Sequence, residues 1–248
     1  MKIRKATGTA AVSVAALLMF GACGTGGDDG ATPPGGNDAD GSETSADGGG
    51  DSGAAAIDTE ISSWDPCEVL GDSYNELVES LNSVSAGDLL SKPTGGGILP
   101  DHAMCSNTVV WAEDPEYASS NADGLVTLSL VPKPSEEEAA TRYAELVTSS
   151  QELYGDTVAE IPIDGWDEGT LFLGDYGVGD AFTAIVRDGS YLIVVLLETG
   201  SQLVAGGDGT QADFTVDEAR DHLLDVTLPG VQSAVAERLE EAGVSSGE

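Results

Sequence analysis

Basic residues are scarce in this chain. Nine Lys and Arg stand against 44 Asp and Glu in 248 residues, for a formal charge of −35. A protein binds nucleic acid by neutralising phosphates with Lys and Arg, so the balance excludes a nucleic-acid partner. It disfavours docking on anionic lipid headgroups for the same reason. An acidic surface of this kind chiefly confers solubility, and it leaves divalent cations or a basic partner as open binding chemistries. Histidine occurs only as His102 and His222. That leaves little for a Ser-His-Asp triad or a structural zinc site, which usually draws on more His or Cys. Cysteine occurs only at positions 23, 67 and 105. No apolar run reaches the roughly 20 residues that span a bilayer, and no internal repeat is visible.

The first residues read as an address. Lys2, Arg4 and Lys5 precede an apolar run from Ala10 to Phe20, broken only by Ser13. Such a run rises about 16 Å as a helix, roughly half of the hydrocarbon core, and has the form of a secretory signal. Phe20-Gly21-Ala22-Cys23 resembles the bacterial lipobox, with Phe20 where Leu, Val or Ile is usual. The resemblance implies that residues 1–22 are removed and that Cys23 carries the lipid. Acyl chains contribute about 0.8 kcal/mol per buried CH₂, so two or three hold a protein at the extracytoplasmic face of the cell membrane. The alternative is a plain secretory signal with Cys23 incidental. Without residues 1–22 the chain has six bases against 44 acids, a formal charge of −38.

Gly24 to Ala56 contains no aromatic residue and no Leu, Ile or Val. Such a segment cannot bury enough apolar area to offset its ordering entropy, and its carboxylates repel one another. Residues 23–56 are therefore expected to be a disordered acidic tether. Within it, Gly36-Asn37-Asp38-Ala39-Asp40-Gly41 glances at a calcium loop, but Gly36 and Asp47 stand where that motif needs an acid and a Glu.

Residues 57–248 suffice for one domain with a core. Asp65-Pro66-Cys67-Glu68 is a helix start, with Asp65 as N-cap, Pro66 at N1 and a Trp64–Val69 staple; the helix should run to about Leu81. Ser85–Asp101 reads as a loop rich in Gly and Pro. Strands are expected from Cys105 through Trp111 and over Leu125–Val131, and a capped helix over Ser135–Tyr154. Four strands should follow, at Thr157–Ile161, Thr170–Leu173, Ala181–Arg187 and Ser190–Thr199, with Asp188-Gly189 as the hairpin turn. The last is apolar throughout and should be central and covered on both faces. Thr215 and Glu218 cap a third helix, which Pro229-Gly230 should break before a final helix. This order predicts an α+β fold, an antiparallel sheet packed with helices.

If Cys23 is acylated, Cys67 and Cys105 remain, in an oxidising compartment. A disulfide is the expected state. A thiol activated at the helix N-terminus and two free buried cysteines are the alternatives. Asp65-Pro66-Cys67 opening a helix, with Cys105 some forty residues on and Trp111 after it, resembles the DUF3558 family of actinobacterial lipoproteins, whose function is unknown. The resemblance implies a lipid-anchored envelope protein with a disulfide. Related envelope lipoproteins look like the Mog1/PsbP sandwich.

Three places carry candidate chemistry. Gly71-Asp72-Ser73-Tyr74 resembles the first block of the GDSL esterases, but Ser73 falls inside a helical pattern and His222 has Ala219 where that family has Asp. His102 with Asp101, and His222 beside Asp221, read better as isolated residues than as ligands. Asp164, Asp167 and Glu168 around Trp166, and Asp175 and Asp180 around Tyr176, could do glycosidase work or bind calcium or sugar; solvated loops are the simpler reading. No catalytic residue, metal ligand or cofactor site is assigned. The expectation is a monomeric, lipid-anchored, non-catalytic domain that binds or interacts with an envelope protein, a peptide or a small ligand. An extracytoplasmic hydrolase is the remaining alternative.

Overall fold

A computed structural model describes residues 49–85, 87–96, 99–110, 124–154, 159–175, 180–199 and 214–244. The expected lipobox, Cys23 and most of the tether lie outside these residues, as do Trp111 and Tyr176. The elements are α1 (Gly49–Ser63), α2 (Pro66–Ser80), β1 (Val84–Ser85), β2 (Leu90–Lys92), β3 (Ala103–Val110), β4 (Gly124–Pro132), α3 (Glu136–Tyr154), β5 (Ala159–Pro162), β6 (Glu168–Asp175), β7 (Asp180–Asp188), β8 (Tyr191–Glu198), α4 (Val216–His222), a π-helical turn (Leu223–Thr227) and α5 (Leu228–Glu241).

The fold is α+β. All strands join one antiparallel sheet in the order β1-β3-β4-β8-β7-β6-β5, with β2 pairing β3 on the lane that β1 occupies further along. The apolar run of β8 thus takes the central lane, as its composition predicts. Its coverage is less complete than expected. Tyr191, Ile193, Val195 and Leu197 are buried against the helices of one face, whereas Val194, Leu196 and Glu198 on the other are only partly buried. The reason is that α3, which covers that face, lies mainly over β6, β7 and β8.

The main core lies between the sheet and α1, α2, α4 and α5, with Ile61, Leu70, Tyr74, Leu77, Val195, Leu223 and Val231 at its centre. The opposite face carries a smaller core of Ala139, Tyr154, Phe172, Ile185 and Leu192. Two tyrosines dock α3 on the sheet: Tyr143 Oη lies 2.7 Å from Thr170 Oγ1, and Tyr154 Oη 2.5 Å from Thr183 Oγ1.

Three expectations are corrected. The helix α1 begins at Gly49, so residues 49–56 belong to the domain and not to a tether. Ala54 and Ile57 are buried there with Ile61 and Trp64; an alanine face that small is stabilised by tertiary packing and leaves no apolar run to read. The stretch that reads as a loop supplies the short strand β2 and the second residue of β1 on the edge of β3. Pro229-Gly230 does not part the third helix from the last. A π turn precedes it, closed by the Leu228 N–H donating to the Leu223 carbonyl. A proline lacks the N–H for an α bond, and its ring crowds the carbonyl four residues back. The wider turn displaces that carbonyl and lets α4 continue into α5.

Candidate functional site

The cysteines come together at the start of α2. Asp65 caps the helix, its Oδ1 accepting from the Cys67 N–H at 2.9 Å and also from the Ser91 hydroxyl of β2. Cys67 Sγ stands 2.10 Å from Cys105 Sγ of β3, at disulfide distance. Cys105 is fully buried in the main core, so the pair ties α2 to the sheet.

The sequence candidates for catalysis are dispersed. Ser73 is a buried residue of α2, and a Cβ added at Gly230 of α5 would meet its Oγ at 3.3 Å; it sits where the two helices pack. Asp167 and Glu168 are bridged by Arg187, at 3.1 and 2.6 Å, and Asp167 Oδ2 also accepts from the Gly189 N–H. Those carboxylates hold a turn against a hairpin. Asp175 and Asp180 are backbone register partners at the end of the β6–β7 ladder. Among the described residues, no group of three or more His, Cys, Asp and Glu is placed to hold a metal ion.

His102 lies at the opening of β3 and is 3% exposed. Neither ring nitrogen has a hydrogen-bond partner. Asp101 beside it collects two of the chain's few bases, with Lys133 Nζ at 2.9 Å and Arg142 Nε at 2.8 Å from Oδ2. Burial would raise the Asp101 carboxyl, but the Lys133 hydrogen bond and the Arg142, His102 and Lys133 charges outweigh it and hold it low. Burial above all pulls His102 down to about 4; Asp101 works against that shift, and Arg142 and Lys133 add to it. The imidazole is therefore neutral at pH 7. The group is a compact ionic lock between the start of β3, the end of β4 and α3.

His222 is placed differently. It lines an open cleft of about 430 Å³ together with Ser80, Leu81, Asn82, Phe214, Glu218, Asp221, Asp225 and Val226. One wall is the end of α2. Asn82 adopts φ 48°, and the following N–H, that of Ser83, returns to the Val78 carbonyl at 3.1 Å. That left-handed residue ends the helix and turns the chain away. The facing wall is α4 and the π turn. A reciprocal capping box fixes its start: Glu218 N–H donates to Thr215 Oγ1 at 3.2 Å, and Glu218 Oε2 accepts from Thr215 N–H at 2.8 Å. The π turn carries Asp225 and Val226 at the other end of this wall.

The cleft is acidic and half apolar. The backbone and side-chain hydrogen bonds from Thr215 hold the Glu218 carboxyl low, so it is ionised. Asp221 shares Arg220 with Asp217, both at 2.7 Å. Burial lowers His222, with only the charge of Glu76 opposing it. Its Nε2 is shielded from solvent without a hydrogen-bond partner. No family model fits this chain, and no curated protein matches it. Its own geometry is what speaks to function.

His222 was expected at the surface beside Asp221; the structure makes it half-buried and places it on a cavity wall. Phe214, Asp225 and the end of α2 were not anticipated as its neighbours. The capping pair Thr215–Glu218 marked one edge of the cleft, but nothing local marks residues 80–82 as the other.

Proposed function

We propose that this chain is a lipid-anchored extracytoplasmic binding protein whose α+β domain captures a small ligand in the cleft between the end of α2 and α4. The cleft carries the reading: it is concave and combines polar and apolar lining, as small-molecule sites do. It lies between helices, because the space between sheet and helices is a filled core. The exposed large apolar side chains among the described residues, Leu90, Leu153 and Val216, stand on three separate elements, which favours a ligand cleft over an apolar docking patch. A hydrolytic reading finds less support. The Ser80 hydroxyl in the cleft donates to the Leu77 carbonyl at 2.8 Å, and among the described residues no hydrogen bond joins His222 to a carboxylate that could orient it.

The anchoring half of the proposal rests on the lipobox-like Phe20-Gly21-Ala22-Cys23. Among the described residues no helix is long and apolar enough to cross a membrane, so attachment would fall to the lipid. The layout around Asp65, Pro66, Cys67 and Cys105 supports kinship with the DUF3558 lipoproteins, and helices on both faces of an antiparallel sheet suit a Mog1/PsbP-like sandwich. Mass spectrometry of the membrane fraction should find a mature N-terminus at an acylated Cys23, and Cys23→Ser should release the protein from that fraction. A mature N-terminus elsewhere, or a variant that sediments unchanged, overturns the anchoring half. For the binding half, NMR titration of the mature chain with a set of small-molecule fragments should shift the resonances of Phe214, Asp221 and His222, which line the cleft; shifts that all fall elsewhere, or none at all, overturn it.

A further inference from the structure

We infer that the start of α3, from Glu136 to Arg142, is an acid-released latch: it lies closed over His102 while the imidazole is neutral and lifts from the sheet when the imidazole takes a proton. The opening is local, and the rest of the sheet stays paired through it.

Little besides charge fastens this stretch. Glu136, Glu137, Glu138 and Thr141 are exposed, and Ala139 alone is fully buried, in the smaller core with Val131 and Leu192. From Tyr143 onward the helix has its two tyrosine contacts to the sheet. Its start has the Asp101 lock instead. Arg142 Nε stands 2.8 Å from Asp101 Oδ2, Arg142 Nη2 donates to Oδ1 at 3.3 Å, and Lys133, just ahead of the helix, donates to Oδ2 at 2.9 Å. Segments with so few buried apolar contacts open at the least cost.

His102 sits beneath that lock. It immediately precedes Ala103, whose side chain joins the main core, so strand alternation turns the imidazole to the other face, toward α3. The ring is shut off from solvent and neither nitrogen has a hydrogen-bond partner. The charges that act on it are Asp101, Arg142 and Lys133. Asp101 Oδ1 is 3.8 Å from Nε2, but both oxygens of that carboxylate already serve the two bases. Glu145, which accepts from Arg142 Nη1 at 3.0 Å, is exposed. A proton on the closed ring would set a third positive charge beside a single half-buried carboxylate that balances two. Burial above all, against the pull of Asp101, holds the closed ring at about 4. Once the latch opens, the ring returns to its ordinary 6.5. The open form therefore gains as pH falls from 6.5 toward about 4, by up to tenfold for each pH unit.

Hydrogen exchange of the full mature chain at pH 7 and pH 5, corrected for the intrinsic rate at each, reads the opening. Amides of residues 139–142 should be protected about tenfold less, or weaker still, than those of residues 193–197 in β8. Between pH 7 and pH 5 they should lose protection by about 20-fold. His102→Gln should abolish that loss. In the parent chain, NMR of the His102 ring should show it largely neutral down to pH 5, a measurement that needs no variant to fold. If residues 139–142 are as protected as β8 at both pH values, the start of α3 opens only with the whole domain and the inference falls. It falls equally if His102→Gln keeps the acid loss, or if the parent ring titrates near 6.5.

Discussion

Reduction of the Cys67–Cys105 pair gives the sharpest test of how this domain is held. The cysteines are 38 residues apart. In the chain-entropy account, cross-linking a loop of that length removes about 13 cal/mol/K from the unfolded ensemble, or about 4 kcal/mol at 25 °C. For a domain of this size that corresponds to a fall in Tm of about 8–16 °C on reduction. Reduction is preferable to mutation, because Cys105 is fully buried and truncating it to Ala would add a cavity cost of about 1 kcal/mol. Urea unfolding of the oxidised and reduced chains, followed by circular dichroism, reads the difference directly. The loop has other ties, since the Ser91 hydroxyl donates to Asp65 and the Thr94 hydroxyl to the Ser62 carbonyl at 3.2 Å. Those contacts exist only in the folded state and do not lessen the entropic term. A loss below about 1 kcal/mol would refute the reasoning, because it would mean that the unfolded chain keeps this loop closed without the bond.

Two further outcomes follow from the sheet and the ionic lock. Burial holds His102 at about 4 in the folded chain against an ordinary 6.5, so between those values the unfolded chain takes up a proton that the native one refuses. Stability should therefore fall by about 3 kcal/mol as pH drops from 6.5 to about 4 and level off below; His102→Gln should remove that component from the pH series of urea midpoints, and identical slopes for both proteins would count against it. At Gly169 of β6, an added Cβ would stand 2.8 Å from the Ile163 carbonyl oxygen and 2.9 Å from Ile163 Cβ. Gly169→Ala should cost about 1–3 kcal/mol by forcing the β5–β6 turn outward, and a Tm unchanged from the parent would show that the turn yields freely.

What was legible in the sequence is what local chemistry decides. Asp65-Pro66 and Thr215–Glu218 announce helix starts because a cap is satisfied within a few residues. Gly189, at φ 57°, announces its hairpin because few other residues adopt that angle. The run Tyr191–Leu197 announces a central strand because no edge position would bury it. The α+β class followed from these. The missed features depend on distant residues. The helix α1 is held by the burial of Ile57 and Ile61 in a core that other elements build, and β2 exists because Cys105 and its neighbours offer an edge. Pro229 was read as a break because an α-helix would break there; the π turn is a solution that no propensity announces. The cleft joins residues 80–82 to residues 214–226, a meeting set wholly by the packing of α2 on the last helices. The lock at Asp101 left one usable trace, the rarity of the bases that converge on it.

The place of β8 in the strand order governs how the domain can be made. Strands β1 to β4 form one half of the sheet and β5 to β7 the other, and β8 alone joins them, through Thr127↔Leu196 on one side and Thr183↔Leu196 on the other. A chain emerging N-terminus first can assemble each hairpin as it appears, but the halves stay uncoupled until the final strand arrives. Long-range closure of that kind is slow. The complete sheet therefore cannot close until synthesis has passed Glu198, the end of β8.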